Sequence, residues 1–287
     1  MFQEKFIYHI WDAQHLQRNL KTVSGNSVEI IYQGRWNTDF GPDFRDAVIK
    51  INSLVMHGDV EIHLNSRDWV NHHHDEDPAY NNTILHVVYN HDDQLNMTIS
   101  EQGGKIEILE ICNFLDQEIE KLLSSYKDLP FIPKPEFCSF FAGLSGDILI
   151  PLLSRLGQKR LENKIKRFKA ELYFTDYDQI LYQGIMEALG YSKNKFQMLL
   201  FSNQITYRKL QCALENDFRE KKIIFLLLNY SNLKEKLPEN LKSLCSPASE
   251  PETDKFLAAV TPPLKWELFR IRPGNHPAVR MIQASIL

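Results

Sequence analysis

Apolar residues at Phe6, Ile7, Ile10 and Trp11 recur near the spacing of a helical face, so Phe2 to Leu20 is predicted to open the chain with a helix. The period then shortens. Val28 to Tyr32, Ala47 to Ile51, Val55 to Leu64, Thr83 to Asn90, Leu95 to Ser100 and Lys105 to Ile111 are short runs rich in Val, Ile and Thr, the residues that favour a pleated backbone. Gly103-Gly104 suits a hairpin turn between the last two. Helical spacing returns over Asn113 to Tyr126 and is then broken by Pro130, Pro133 and Pro135, which lack an amide donor and restrict the residues before them.

Beyond this proline-rich stretch the pattern is helical. Leu152, Leu156, Leu161, Ile165, Phe168 and Leu172 form one apolar stripe. Further helices are predicted over Tyr177 to Leu189, stopped by Gly190, and over Lys195 to Phe201, Tyr207 to Glu215 and Asp217 to Tyr230. Leu237 to Asp254, with Ser246-Pro247 and Glu250-Pro251, reads as an exposed loop. The expectation is an α+β protein: a helix and a mixed or antiparallel sheet in residues 1–127, then a mainly helical region in 128–287.

Composition narrows the class. The 287 residues are 43% hydrophobic and 24% charged, ordinary globular usage. The longest apolar run, Ile223 to Leu228, falls far short of the about 20 residues that cross a bilayer. Met1 to Trp11 carries Glu4 and lacks a secretion leader, which points to the cytoplasm. Cys112, Cys138, Cys212 and Cys245 form no CxxC pair and are expected to be reduced packing residues. The net charge of -4 conceals an imbalance: residues 1–117 hold 8 Lys and Arg against 18 Asp and Glu, whereas 118–287 hold 25 against 19. Such a division suits a cation site beside a surface for a polyanion, although an unevenly solvated surface produces it as well.

The residues with most chemical potential lie between Gly34 and His91. On a strand, Asp59, Glu61 and His63 share one face while Val60, Ile62 and Leu64 share the other. Asp43 follows the sharp Gly41-Pro42 turn and enters or flanks the preceding strand, where it can meet Glu61. Two facing carboxylates repel unless a cation or a shared proton lies between them. Oxygen ligands of this kind suit Mg²⁺ or Mn²⁺, which polarise phosphoryl oxygens and activate water.

An opening helix with Glu4, a strand, a strand begun by Pro42-Asp43 and a strand bearing Glu61-Ile62-His63 resemble the PD-(D/E)XK nuclease-like superfamily over residues 2 to 90. The resemblance implies that Asp43 and Glu61 hold a metal ion and that His63 stands in the basic position, normally lysine, which orients or activates water. It also implies a nucleic-acid substrate. A helix expected near 67–80 is at odds with the Asp, His, Asn and Pro crowded there.

The histidines support a second reading. His63, His72, His74 and His86 are candidate imidazole ligands for Zn²⁺ or Fe, as in cupin-like enzymes, although the spacing departs from a cupin motif. His73 is expected to face away from His72 and His74, and His86 within Ile84 to Val88 also reads as a hydrogen-bonded core histidine. Trp69 and Tyr80 are candidates for stacking on a base. Arg155, Lys159, Arg160, Lys164, Lys166, Arg167 and Lys169 lie opposite the apolar stripe and suit phosphate contacts or a solvated face. Arg272, Asn275 and Arg280 suit an anion clamp or a structural turn.

A longer set of motifs comprises Ile10-Trp11, Gly41-Pro42-Asp43-Phe44, Gly58-Asp59-Val60-Glu61-Ile62-His63, Asp68-Trp69 with His72 and His74, and Leu85-His86-Val87-Val88. It continues with Ala188-Leu189-Gly190-Tyr191 and Asn194, then Arg272-Pro273 with Asn275, Pro277 and Arg280. Together these resemble a bacterial domain of unknown function, the one numbered two-eight-five-one, across nearly the whole chain. Members of that family tend to be longer, so a C-terminal part is expected to be missing here. Three functions remain open: a metal-dependent phosphodiesterase, a non-catalytic nucleic-acid-binding or protein-interaction module, and a histidine-based metal enzyme.

Overall fold

The computed structural model describes residues 2–126, 143–214, 220–233, 236–237, 241–242 and 264–286. The proline-rich stretch at 128–135, Cys138, Cys245 and most of the expected 237–254 loop lie outside them. The fold is α+β. Contacts divide the chain into two compact units, Met1–Tyr173 and Phe174–Leu287.

In the first unit, helix α1 (Glu4–Ala13) precedes strands β1 (Leu20–Lys21), β2 (Ser27–Tyr32), β3 (Arg35–Trp36), β4 (Phe44–Ile51) and β5 (Leu54–Asn65). A short helix α2 (Asp68–Asn71) and a 3-10 turn at Pro78–Tyr80 lead to β6 (Thr83–Asn90), β7 (Met97–Ile99) and β8 (Lys105–Glu110). Helices α3 (Ile119–Tyr126) and α4 (Gly146–Glu171) follow. The strands form one mixed sheet in the order β1-β2-β4-β5-β6-β8-β7, with β3 paired to β4. Strands β2, β4 and β5 are an antiparallel meander, but β5–β6 and β6–β8 run parallel. A parallel pair needs a crossover rather than a hairpin, and residues 66–82 supply it. This accounts for the Asp- and His-rich interruption between two strongly β-forming runs.

The alternation along β5 separates two environments. Val60 and Ile62 are fully buried and pack with Phe6, Ile7, Ile10 and Trp11 of α1 and with Ile49, Leu85, Val87 and Leu109. Each such side chain contributes about 1.5–3 kcal/mol on burial. Trp11 adds a buried indole N–H donated to the Gln33 carbonyl. On the opposite face Val55 packs with Tyr32, Val48 and Ala170, which ties the end of α4 to the sheet. That contact explains why α4 groups with the first unit. Gly58 sits where β5 and β6 approach most closely: a Cβ there would lie 2.4 Å from Ile84 Cγ2 and 2.5 Å from the Asn82 carbonyl oxygen.

The apolar stripe of α4 is not a buried face, because Leu156, Leu161 and Ile165 are exposed. The second unit contains α5 (Tyr177–Leu189), α6 (Lys195–Gln204), α7 (Tyr207–Leu214), α8 (Glu220–Tyr230) and α9 (Pro277–Ala284). They bury Met186, Met198, Phe201, Leu226, Leu228 and Met281. Asn194 fixes residue 267 by donating to the Glu267 carbonyl and accepting from its amide, 2.9 Å each. Among the described residues no helix is long and apolar enough to cross a membrane. Cys112 is half-buried and Cys212 exposed, so the latter is not the packing residue its isolation suggested.

Candidate metal centre

The turn before β4 delivers Asp43. Gly41 adopts φ 97°, a left-handed conformation open to glycine, and the Asn37 side chain donates to the Pro42 carbonyl at 2.9 Å. The chain re-enters the sheet at Asp43, one residue before Phe44 pairs with Val60. There Asp43 and Glu61 brace one another: the Asp43 amide donates to Glu61 Oε2, and Asp43 Oδ2 accepts from the Ile62 amide, both at 3.0 Å. From α1, the Tyr8 hydroxyl donates to Glu4 Oε1 at 2.8 Å and also reaches the Asp43 carboxyl. Three acidic side chains distant in sequence thus face one pocket.

The imidazoles approach from the other side of Glu61. His63 lies two residues along β5, on the same face, while the turn after α2 brings His72 to the mouth and His74 inward. His74 Nε2 is 3.3 Å and His63 Nε2 is 3.7 Å from Glu61 Oε1. His63 Nε2 is 3.1 Å from His72 Nδ1. Behind them, His63 Nδ1 meets His86 Nε2 at 2.9 Å, and His86 Nδ1 meets Thr98 Oγ1 at 2.8 Å. His73, with φ 60°, points outward toward Glu76.

Electrostatics follow from burial. Burial, and then the Glu61 charge, pushes the Asp43 carboxyl well above the usual carboxylate range, and burial does the same to Glu61. Burial lowers His63, His74 and His86, with neighbouring imidazoles adding to the effect on His63. Burial thus opposes full charge on both partners of the 3.3 Å His74–Glu61 contact. Among the described residues, the side chains holding Asp43 and Glu61 are tyrosine and histidine, with no lysine or arginine ion pair.

His63, His72 and His74 bring their ligand atoms together, Glu61 lies beside His63 and His74, Asp43 meets Glu61 through the backbone, and Glu4 reaches Asp43 by way of Tyr8. Asp59 does not join them, because its oxygens accept from the Asp46 amide and the Asn82 side chain. Trp69 is 1% exposed and donates to the Ile99 carbonyl at 3.0 Å. Its ring packs on His74, Tyr80 and His86, so it walls the pocket and offers no face to a base. Tyr80 is likewise buried, stacked on His74 with centroids 3.8 Å apart. Arg280 lies over the Tyr191 ring and donates to Asn275 and Gln283, a clasp within the second unit in place of an open anion clamp. Arg272 is exposed beside that turn. The sequence reading missed Tyr8 and Thr98. Tyr8 was detectable, since residues i and i+4 on a helix share a face with Glu4.

The chain belongs to the family described as "Protein of unknown function (DUF2851)", which matches residues 4–287. No curated protein and no solved structure matches it.

Proposed function

We propose that this member of the family is a divalent-metal-dependent phosphodiesterase acting on nucleic acid, with Asp43 and Glu61 as the principal ligands. The observation that carries this reading is the meeting of these two carboxyls in a pocket where their mutual repulsion is relieved by no lysine or arginine among the described residues. The donor set fits: two neighbouring carboxyls suit Mg²⁺ or Mn²⁺, which need only one or two protein carboxylates. A divalent ion held there supplies Lewis-acid polarisation of the phosphodiester and acidifies water.

The other residues have roles that their own contacts support. His63 borders the carboxyl pair at Nε2 and helps orient the attacking water, and His86 backed by Thr98 holds its ring in place. Tyr8 and Glu4 line the Asp43 side. A polyanion has a second foothold in a cleft of about 420 Å³ lined by Arg35, Lys159, Arg160, Lys164 and Arg167 between α4 and the sheet. Glu171, at the end of α4, lies 3.9 Å from His57. His57, Glu61 and His63 project from one face of β5, with His57 about 13 Å of strand from Glu61.

The test is cleavage of single- and double-stranded DNA and RNA by the full chain. Turnover that requires Mg²⁺ or Mn²⁺ and disappears in Glu61→Gln is expected. Binding without metal-dependent turnover would instead favour the non-catalytic module.

A further inference from the structure

The imidazole side of the pocket has a geometry that the carboxyl pair does not require. Three imidazoles from two segments crowd together, His63 from β5 and His72 and His74 from the turn after α2, with Glu61 Oε1 beside two of them. The separations are 3.1 Å for His63–His72, 3.3 Å for His74–Glu61 and 3.7 Å for His63–Glu61. One donor atom from each of the three histidines lies within 4.8 Å of the others. Bonds of about 2.0–2.1 Å to a tetrahedral ion require ligand atoms about 3.3–3.4 Å apart, so the three imidazoles need draw in by little more than about 1 Å to close around one ion.

We infer that His63, His72 and His74 bind a zinc-class transition-metal ion whose fourth position is taken by water or by the neighbouring Glu61, so that the site adjoins the carboxyl pair. Chemistry separates the two halves. Imidazole nitrogen suits zinc and its neighbours, whereas Mg²⁺ prefers carboxylate and water. The outer shell also matches. Run in one direction, the buried chain has His63 Nδ1–H donating to His86 Nε2 and His86 Nδ1–H donating to Thr98 Oγ1, which leaves the His63 Nε2 lone pair facing the cluster. Trp69 and Tyr80 pack on His74 and fix its ring. His72 is exposed and gives the ion a way in. In binding, the ion replaces the hydrogen bond between His63 and His72: the proton on His72 Nδ1 is given to solvent while Nε2 takes one up, so His72 binds as a neutral imidazole. The site stands on these side chains and does not depend on the phosphodiesterase reading.

The test uses the full chain stripped with chelator and titrated with Zn²⁺ or Co²⁺ alone. One ion per chain is expected, with Co²⁺ giving the intense visible absorption of a four-coordinate centre. His72→Ala, at an exposed position where folding is not at stake, is expected to weaken binding by more than the roughly 10- to 100-fold that loss of an outer-shell partner costs. Asp43→Asn is expected to retain the ion. The inference is overturned by no stoichiometric binding, by a six-coordinate Co²⁺ spectrum, or by binding that survives His72→Ala and vanishes in Asp43→Asn. A zinc site without nucleic-acid cleavage would uphold this inference while removing the phosphodiesterase reading.

Discussion

Asp43 and Glu61 hold each other through the backbone: the amide of Asp43 donates to the Glu61 carboxyl, and the Asp43 carboxyl accepts from the amide following Glu61. This bracing fixes two acidic groups side by side where burial opposes their ionisation. Glu61→Gln should therefore make the metal-free protein more stable at pH 8, while removing the stabilisation that Mn²⁺ gives to the natural chain. Thermal unfolding with and without Mn²⁺ checks both. A Glu61→Gln protein that melts lower without metal and still responds to Mn²⁺ contradicts the arrangement.

The pH dependence has a definite sign. Asp43 and Glu61 are pushed up to about 8, so between their ordinary values and pH 8 the folded chain holds protons that the unfolded chain has lost. Stability from these groups is greatest at low pH and falls as pH rises toward 8. His63, His74 and His86 are lowered below 6.5, so their contribution is lost as pH falls below that value. From pH 6.5 to 8 only the carboxyl slope remains. Metal-free protein should lose stability across this window, and Glu61→Gln should flatten the curve. Denaturant titrations at stepped pH measure it.

Thr98 terminates the imidazole chain in the interior. Replacing it with valine leaves a buried His86 nitrogen without its partner, at a cost of about 1–3 kcal/mol. Thr98→Ser keeps the hydroxyl and should recover most of the loss. Urea unfolding of the two variants separates the hydrogen bond from packing of the methyl group.

The basic cleft gives a prediction about affinity alone. Charge reversal at Lys159 and Lys164 should weaken binding of single-stranded DNA and reduce the salt dependence of log Kd by about 1 for each phosphate contact removed. Fluorescence anisotropy over a salt series reads both. Unchanged affinity and slope would leave the cleft as an ordinary solvated surface.

Much of this was legible in residue order because the β-runs are local signals. Thr83 to Asn90 has the same limits in sequence and structure, and Gly41-Pro42 marked the turn that delivers Asp43. Period-2 alternation also placed Glu61 and His63 on one face. Tertiary contacts decided the rest. Nothing local shows that 66–82 folds over the polar face of β5 and buries Glu61 and His63, or that Trp69 turns inward to Ile99. The α4 stripe has core-like spacing yet is exposed, because periodicity records amphipathicity without naming a partner. Likewise, Arg280 reads as an anion ligand until Asn275, Gln283 and Tyr191 are seen to occupy it.

The central claim is that Asp43 and Glu61 take up one divalent ion. Crystals of the full chain grown with Mn²⁺ and measured at an energy where manganese scatters anomalously test it directly. The predicted result is a peak within about 2.0–2.6 Å of one oxygen from each carboxyl. Both carboxyls ordered in the electron density, with saturating Mn²⁺ and no anomalous peak between them, would contradict it.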